Sequence, residues 1–188
     1  MVRIKKNMIT KGFSGKFGND IVFKTQGERT FAFPASESSD REPSEKQKAQ
    51  ILRFKMATAY AKAQLADPAK KAYYDAFADD GRTAYNQAVS DFLKPPVIHQ
   101  VDVSGYSGAV NDEILVLATD NFEVTQVKVQ ILDSSDTLLE EGSASLNSLG
   151  THYLYKATKS NSSPSGGKVI ATAFDRPGNA TVHEETLS

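Results

Sequence analysis

The 188-residue sequence contains no cysteine and no tryptophan. Without cysteine there is no disulfide, no thiolate zinc site, no iron–sulfur ligation and no cysteine nucleophile. Any β-sandwich in this chain must also do without the cysteine–tryptophan pin of antibody domains. Long apolar runs are missing too: no stretch approaches the roughly 18 consecutive apolar residues of a membrane span. The basic opening, Met1-Val-Arg-Ile-Lys-Lys6, is not followed by the apolar core of a Sec-type signal peptide. The expectation is a protein made in the cytoplasm without a Sec signal, which stays there or leaves by another route.

Catalytic signatures are equally scarce. The three histidines, His99, His152 and His183, fall on different predicted strands, and none has a His-x-x-x-His metal spacing. No Gly-x-Ser-x-Gly elbow, Walker-type loop or dinucleotide fingerprint is present. Gly12-Phe-Ser-Gly-Lys-Phe-Gly18 is glycine-rich, but it precedes a hairpin rather than a helix, so it does not read as a phosphate cradle. An enzyme is the least supported class, and no cofactor is expected.

What the chain does have is a charge gradient hidden by a net charge of −1. Through Pro34 it carries seven basic and two acidic residues; residues 35–96 carry ten and nine; residues 97–188 carry five and twelve. A basic head and an acidic tail allow copies to attract one another head to tail, or the head to settle on something anionic.

Residues 11–33 read as β structure. Ile21–Lys24 and Thr30–Phe33 are β-prone runs separated by Thr25-Gln-Gly-Glu-Arg29, the pattern of a hairpin. Five phenylalanines lie in this small ribbon (Phe13, Phe17, Phe23, Phe31 and Phe33), and an isolated hairpin is marginal in water. The ribbon therefore needs a further surface, its own helices or a neighbour. The candidate assembly interface is Phe13, Lys16, Phe17, Ile21, Phe23, Lys24, Arg29, Phe31 and Phe33.

Residues 35–45 form a polar linker. Ser44 with Gln47 makes a capping box, which predicts a helix running to about Leu65. Ile51, Phe54, Thr58, Ala61 and Leu65 share one face, with Leu52, Met56, Ala59 and Ala63 beside them. Asp67-Pro68 starts a second helix, expected to end near Asp80 with Gly81 beyond it. Thr83 caps a third, through Leu93, which Pro95-Pro96 ends. The motif Ala-Tyr-x-x-Ala occurs in all three, at Ala59–Ala63, Ala72–Ala76 and Ala84–Ala88. It points to tight helix packing, or to a recognition surface, through Tyr60, Tyr73 and Tyr85.

After the double proline, seven short strand-like runs follow at 97–103, 113–119, 124–132, 137–144, 152–158, 168–174 and 180–186, the spacing of an antiparallel sandwich. Asp120, Asp133, Asp136 and Asp175 fall at strand ends. They are weak candidate Ca²⁺ ligands whose ordinary role is turn formation, so no metal site is assigned. Glu140-Glu141 and Glu184-Glu185 read as solvated faces that protect strand edges.

The stretches Val101–Gly108, Asp112–Asp120 and Ala171-Thr-Ala-Phe-Asp-Arg-Pro-Gly-Asn179 resemble bacterial immunoglobulin-like domains. The first half resembles a group of bacterial proteins that place a Gly-Lys-x-Gly-Asn hairpin (Gly15–Asn19) and Ala-rich helices ahead of such a domain. The resemblance implies a domain order and no activity. The expected fold class is α+β in two modules: residues 1–96, a Phe-rich basic hairpin with three helices, then residues 97–188, an immunoglobulin-like β-sandwich. The leading expectation is a non-catalytic structural protein that polymerises with itself head to tail, as a filament, sheath, surface layer or phage-like particle. Alternatives are a nucleic-acid-binding accessory protein using the basic head and an adhesin-like module using the sandwich loops, Ser160–Gly167 among them.

Overall fold

The structure is a computed structural model that describes residues 2–4, 13–26, 29–35, 42–79 and 81–187. It is an α+β protein of two compact units, Met1–Gln87 and Ala88–Ser188. The division falls inside the third helix, earlier than the double proline.

The first unit contains a four-stranded antiparallel sheet in the order β1-β4-β3-β2, built from β1 (Val2–Ile4), β2 (Gly15–Phe17), β3 (Ile21–Gln26) and β4 (Arg29–Pro34). The predicted hairpin is β3–β4, in register from Ile21 opposite Pro34 to Gln26 opposite Arg29. The tip at residues 27–28 lies outside the described residues. β1 and β2 add a three-residue strand on each side.

Helix α1 (Glu45–Ala66) begins at the predicted capping box: Gln47 N–H donates to Ser44 Oγ at 3.3 Å and Ser44 N–H to Gln47 Oε1 at 2.8 Å. Asp67 then caps α2 (Pro68–Asp75) by accepting from Ala69 N–H and Lys70 N–H. α2 stops five residues short of the expected Asp80. The chain turns instead through a bridge in which Asp79 and Arg82 exchange both backbone hydrogen bonds, and the Arg82 guanidinium also donates to the Asp79 carboxylate. α3 (Ala84–Leu93) is capped by Thr83, whose hydroxyl accepts from Asn86 N–H.

The second unit carries seven antiparallel strands in the order β11-β10-β7-β8-β9-β6-β5: β5 (Val97–Asp102), β6 (Glu113–Thr119), β7 (Val124–Leu132), β8 (Leu138–Leu146), β9 (Tyr153–Lys156), β10 (Lys168–Asp175) and β11 (Ala180–Thr186). The sheet is nearly closed. Its edge strands approach where Thr181 Oγ1 donates to Pro96 O at 2.5 Å, just ahead of β5. Alternation along the strands produces the core: in β10, Val169, Ala171, Ala173 and Asp175 point inward, with the residues between them half-exposed. Ile114, Val116, Val127, Val129, Ile131, Val169, Ala171 and Ala173 are buried together. Val101, Tyr106, Ala118, Tyr155, Ala157 and Leu187 complete the cluster.

Candidate functional site

The small sheet sorts its side chains by strand register. Phe17, Ile21, Phe23, Ala32 and Pro34 share one face, because Phe17 pairs with Ile21, Ile21 with Pro34 and Phe23 with Ala32. Phe13 joins them through an edge-on ring contact to Phe23 at 5.4 Å, and Phe17 makes another at 6.5 Å. Thr25 fixes this approach by donating its hydroxyl to Phe13 O at 3.0 Å. The apolar face is left open to solvent: Phe17 is 67% exposed, Phe13 40% and Ile21 39%.

The opposite face carries Lys16, Val22, Lys24, Phe31 and Phe33. Lys16 and Lys24 are exposed, and the Phe31 and Phe33 rings lie 6.4 Å apart. Arg29 begins β4 opposite Gln26, and its side chain lies outside the described residues. Eight of the nine expected interface residues are thus described through their side chains. They form two faces, one apolar and one basic with aromatic rings, rather than a single mixed patch.

Tyr60, Tyr73 and Tyr85 take different places in the helices. Tyr60 shares a 2.9 Å hydroxyl–hydroxyl hydrogen bond with Tyr74, which is fully buried. Tyr73 packs edge-on against Tyr74 and tilts against Phe77. Tyr85 is half-buried on α3. Tyr74, one residue outside the repeated motif position, is the packing centre of α1 and α2. The buried alanines of α1 are Ala57 and Ala61, whereas Ala59 and Ala63 of the motif are exposed.

The acidic strand ends of the second unit act as turn ties. Asp120 accepts from Phe122 N–H and Glu123 N–H, and Asp133 from Ser135 N–H and Thr137 N–H. Asp175 accepts from Gly178 N–H, Asn179 N–H and the Asn179 side chain. Asp112 does the same for Ser107 and Ala109, and Asp102 for Ser104. Donation by neighbouring backbone groups holds the Asp112 and Asp133 carboxyls below the usual carboxylate range. Burial pushes Asp175 the other way. Asp136 pairs with Lys168 at 2.9 Å. The described residues contain no group of three or more acids or histidines placed to hold a metal ion.

Two features of this unit were not legible in advance. Glu140 is not a solvated edge residue: it pairs with buried Ile131 and so faces inward, 5% exposed. Its Oε2 accepts from Tyr155 Oη at 3.2 Å, Thr158 N–H at 2.8 Å, Thr158 Oγ1 at 2.5 Å and Lys159 N–H at 3.2 Å. Loop 160–167, a candidate contact loop, is tied at both ends, by Asn161 N–H to Gly108 O and by Gly166 N–H to Leu187 O.

None of the described helices is long and apolar enough to cross a membrane. No protein-family model matches the chain, and no curated protein does. Among solved structures it is similar to an engineered protein, with 16% identity and a TM-score of 0.36 over 59% of this chain and 30% of that one. It is also similar to a tetra-tandem repeat from the extending region of a large adhesion protein, with 21% identity and a TM-score of 0.32 over 50% of this chain and 23% of that one. The chain spans less than a third of the length of either.

Proposed function

We propose that this protein is a non-catalytic structural component that assembles from copies of itself, its N-terminal sheet docking on an acidic C-terminal unit of the next copy. That unit is read as an immunoglobulin-like β-sandwich. The observation that carries the proposal is the uncovered apolar face of the small sheet, with Phe17 two-thirds exposed beside Phe13 and Ile21. Covering Phe17 alone would contribute about 1–2 kcal/mol per contact. Charge supports the choice of partner through steering at a distance: Lys16 and Lys24 lie on the opposite face of the same small sheet, while residues 97–188 hold twelve acidic and five basic residues. Contacts between different patches on identical subunits close into rings or extend into filaments.

Light scattering on the full-length protein across a concentration series tests this. Assembly should grow with concentration in the wild type and be lost in Phe17→Asp/Ile21→Asp and on deletion of residues 1–34. A strict monomer at high concentration, or assembly that survives the double substitution, would overturn it. A second reading, single-stranded nucleic acid on the Lys16–Lys24 face, is favoured by the paired Phe31 and Phe33 rings beside those lysines. It predicts a mobility shift at low salt that Lys16→Glu/Lys24→Glu abolishes.

A further inference from the structure

We propose that the outward face of α1 is a docking seam for an acidic amphipathic helix of another protein. Packing within the first unit uses Ala57 and Ala61, which are fully buried. That choice turns Leu52 and Met56 outward, 59% and 54% exposed. They are the anchors of a longer row. Ala49, Leu52, Met56, Ala59, Ala63 and Ala66 follow one another at alternating steps of three and four residues, and every one is exposed. Alternating steps of three and four keep side chains on one line along a helix, the spacing of a helix–helix seam. The central large residues supply area, and the alanines allow close backbone approach. Ile51 and Phe54, 47% and 51% exposed, lie roughly 100° or more around the helix from this seam and take no part in it.

The charges beside the seam choose the occupant. One flank is Lys48, Lys55 and Lys62; the other is Arg53, Tyr60 and Asp67. Across α1 there are five basic residues and a single acid, Glu45. An antiparallel second copy would set lysine against lysine along the Lys48–Lys62 flank, and these repulsive pairings would outnumber those of Arg53 with Asp67 on the other. A parallel copy would set Lys48 against Arg53 and gain only Lys62 against Asp67. Neither α2 (Lys70, Lys71, Asp75) nor α3, whose charged residue Asp91 is buried, supplies an acidic-flanked apolar stripe. A helix from a different protein, with large apolar residues on its seam and Glu or Asp beside them, meets both requirements: opposite flank charges set partner choice in such pairs. This surface is separate from the sheet that carries the assembly proposal, so a monomeric protein would leave it standing.

The probe is a synthetic three-heptad peptide with Leu on the seam and Glu on both flanks, titrated into full-length protein by fluorescence anisotropy. The same peptide with Lys flanks and vesicles containing anionic lipid are run beside it. The Glu-flanked peptide should bind at least about tenfold more tightly than the Lys-flanked one. Leu52→Glu/Met56→Glu should weaken it by at least about tenfold with helicity by circular dichroism unchanged, since both positions are exposed. No binding of the Glu peptide, equal binding of both peptides, or binding indifferent to the double substitution would overturn the proposal. So would vesicle binding or self-association that depends on Leu52 and Met56 and excludes the peptide.

Discussion

Replacing Glu140 by Ala should destabilise the C-terminal unit by about 3 kcal/mol, because it removes an acceptor shared by four donors in a place water barely reaches. Tyr155 is 4% exposed, so its hydroxyl loses its partner without replacement. An orphaned buried donor costs roughly 1–3 kcal/mol. The N–H groups of Thr158 and Lys159 lie in a more exposed segment, where water offsets part of their loss. Glu140→Gln keeps an acceptor oxygen but weakens bonds made to a charge, which sets its cost at about 1–2 kcal/mol. Tyr155→Phe alone should cost about 1 kcal/mol. In the Glu140→Ala background it should cost less than that, because the hydroxyl it removes is already unpaired. The double mutant should therefore be more stable than additivity allows by about 1 kcal/mol.

With no tryptophan in the chain, urea unfolding is followed by far-ultraviolet circular dichroism. Burial, with the Glu140 charge next, pushes the Tyr155 hydroxyl up to about 12. A group raised in the folded state stabilises fully below its unfolded value near 10 and loses that contribution as pH climbs toward 12. Removing the Glu140 charge should bring Tyr155 ionisation to lower pH, read from absorbance at 295 nm. A Glu140→Ala protein within about 0.5 kcal/mol of wild type, or strictly additive single mutants, would refute the idea of a shared buried acceptor.

Three further outcomes are expected. Gly142→Ala should destabilise by about 1–3 kcal/mol in thermal unfolding, since a Cβ there would meet the Tyr155 ring at 2.8 Å and press it off Glu140. Ser44→Ala should cost about 1 kcal/mol and measurably lower helicity by circular dichroism, because it removes half of the α1 capping box. Asp112 and Asp133 are held low in the folded state, so their stabilisation is present above the unfolded carboxylate value near 4 and lost as pH falls through their lower folded values. Asp112→Asn should flatten the acid limb of a stability–pH curve, whereas Asp175, raised by burial, opposes that limb.

Local signals in the sequence were read well where chemistry is local. The Ser44–Gln47 box and Asp67-Pro68 set helix starts through contacts within four residues, and both caps form. Seven strands appear within two residues of their predicted starts, because alternation over a nearly closed sheet imprints inward and outward positions. The missed features depend on partners distant in sequence. β1 and β2 are three residues each, too short for any period to show. Which part of α1 is buried depends on what α2 presents: beside Tyr74, Ala61 of the expected face is buried together with Ala57, while Ile51 and Phe54 of that face stay exposed. Glu140 reads as a solvated edge acid until the β7–β8 register pairs it with Ile131 and turns it inward.

The acidity of the second unit has a double character that bears on how docking would work. Asp102, Asp112, Asp120, Asp133 and Asp175 all close loops by accepting backbone N–H groups. A neutral donor ties a carboxylate down without cancelling its charge, so the four that are not buried, Asp102, Asp112, Asp120 and Asp133, still contribute to the field of the unit, whereas Asp175 faces inward. Glu113, Glu123, Asp136 and Glu184 differ, since each pairs with Lys156, Arg176 or Lys168. The uncancelled charge is therefore fixed at strand ends on rigid turns, where it costs no side-chain ordering as a basic sheet approaches. Such a field steers encounter and is screened beyond about 8 Å at physiological salt, whereas burial of Phe17 and Ile21 is strengthened by excluded salts such as sulfate. In the proposed assembly, then, Lys16 and Lys24 govern how fast copies meet, and the apolar face governs how long they stay together.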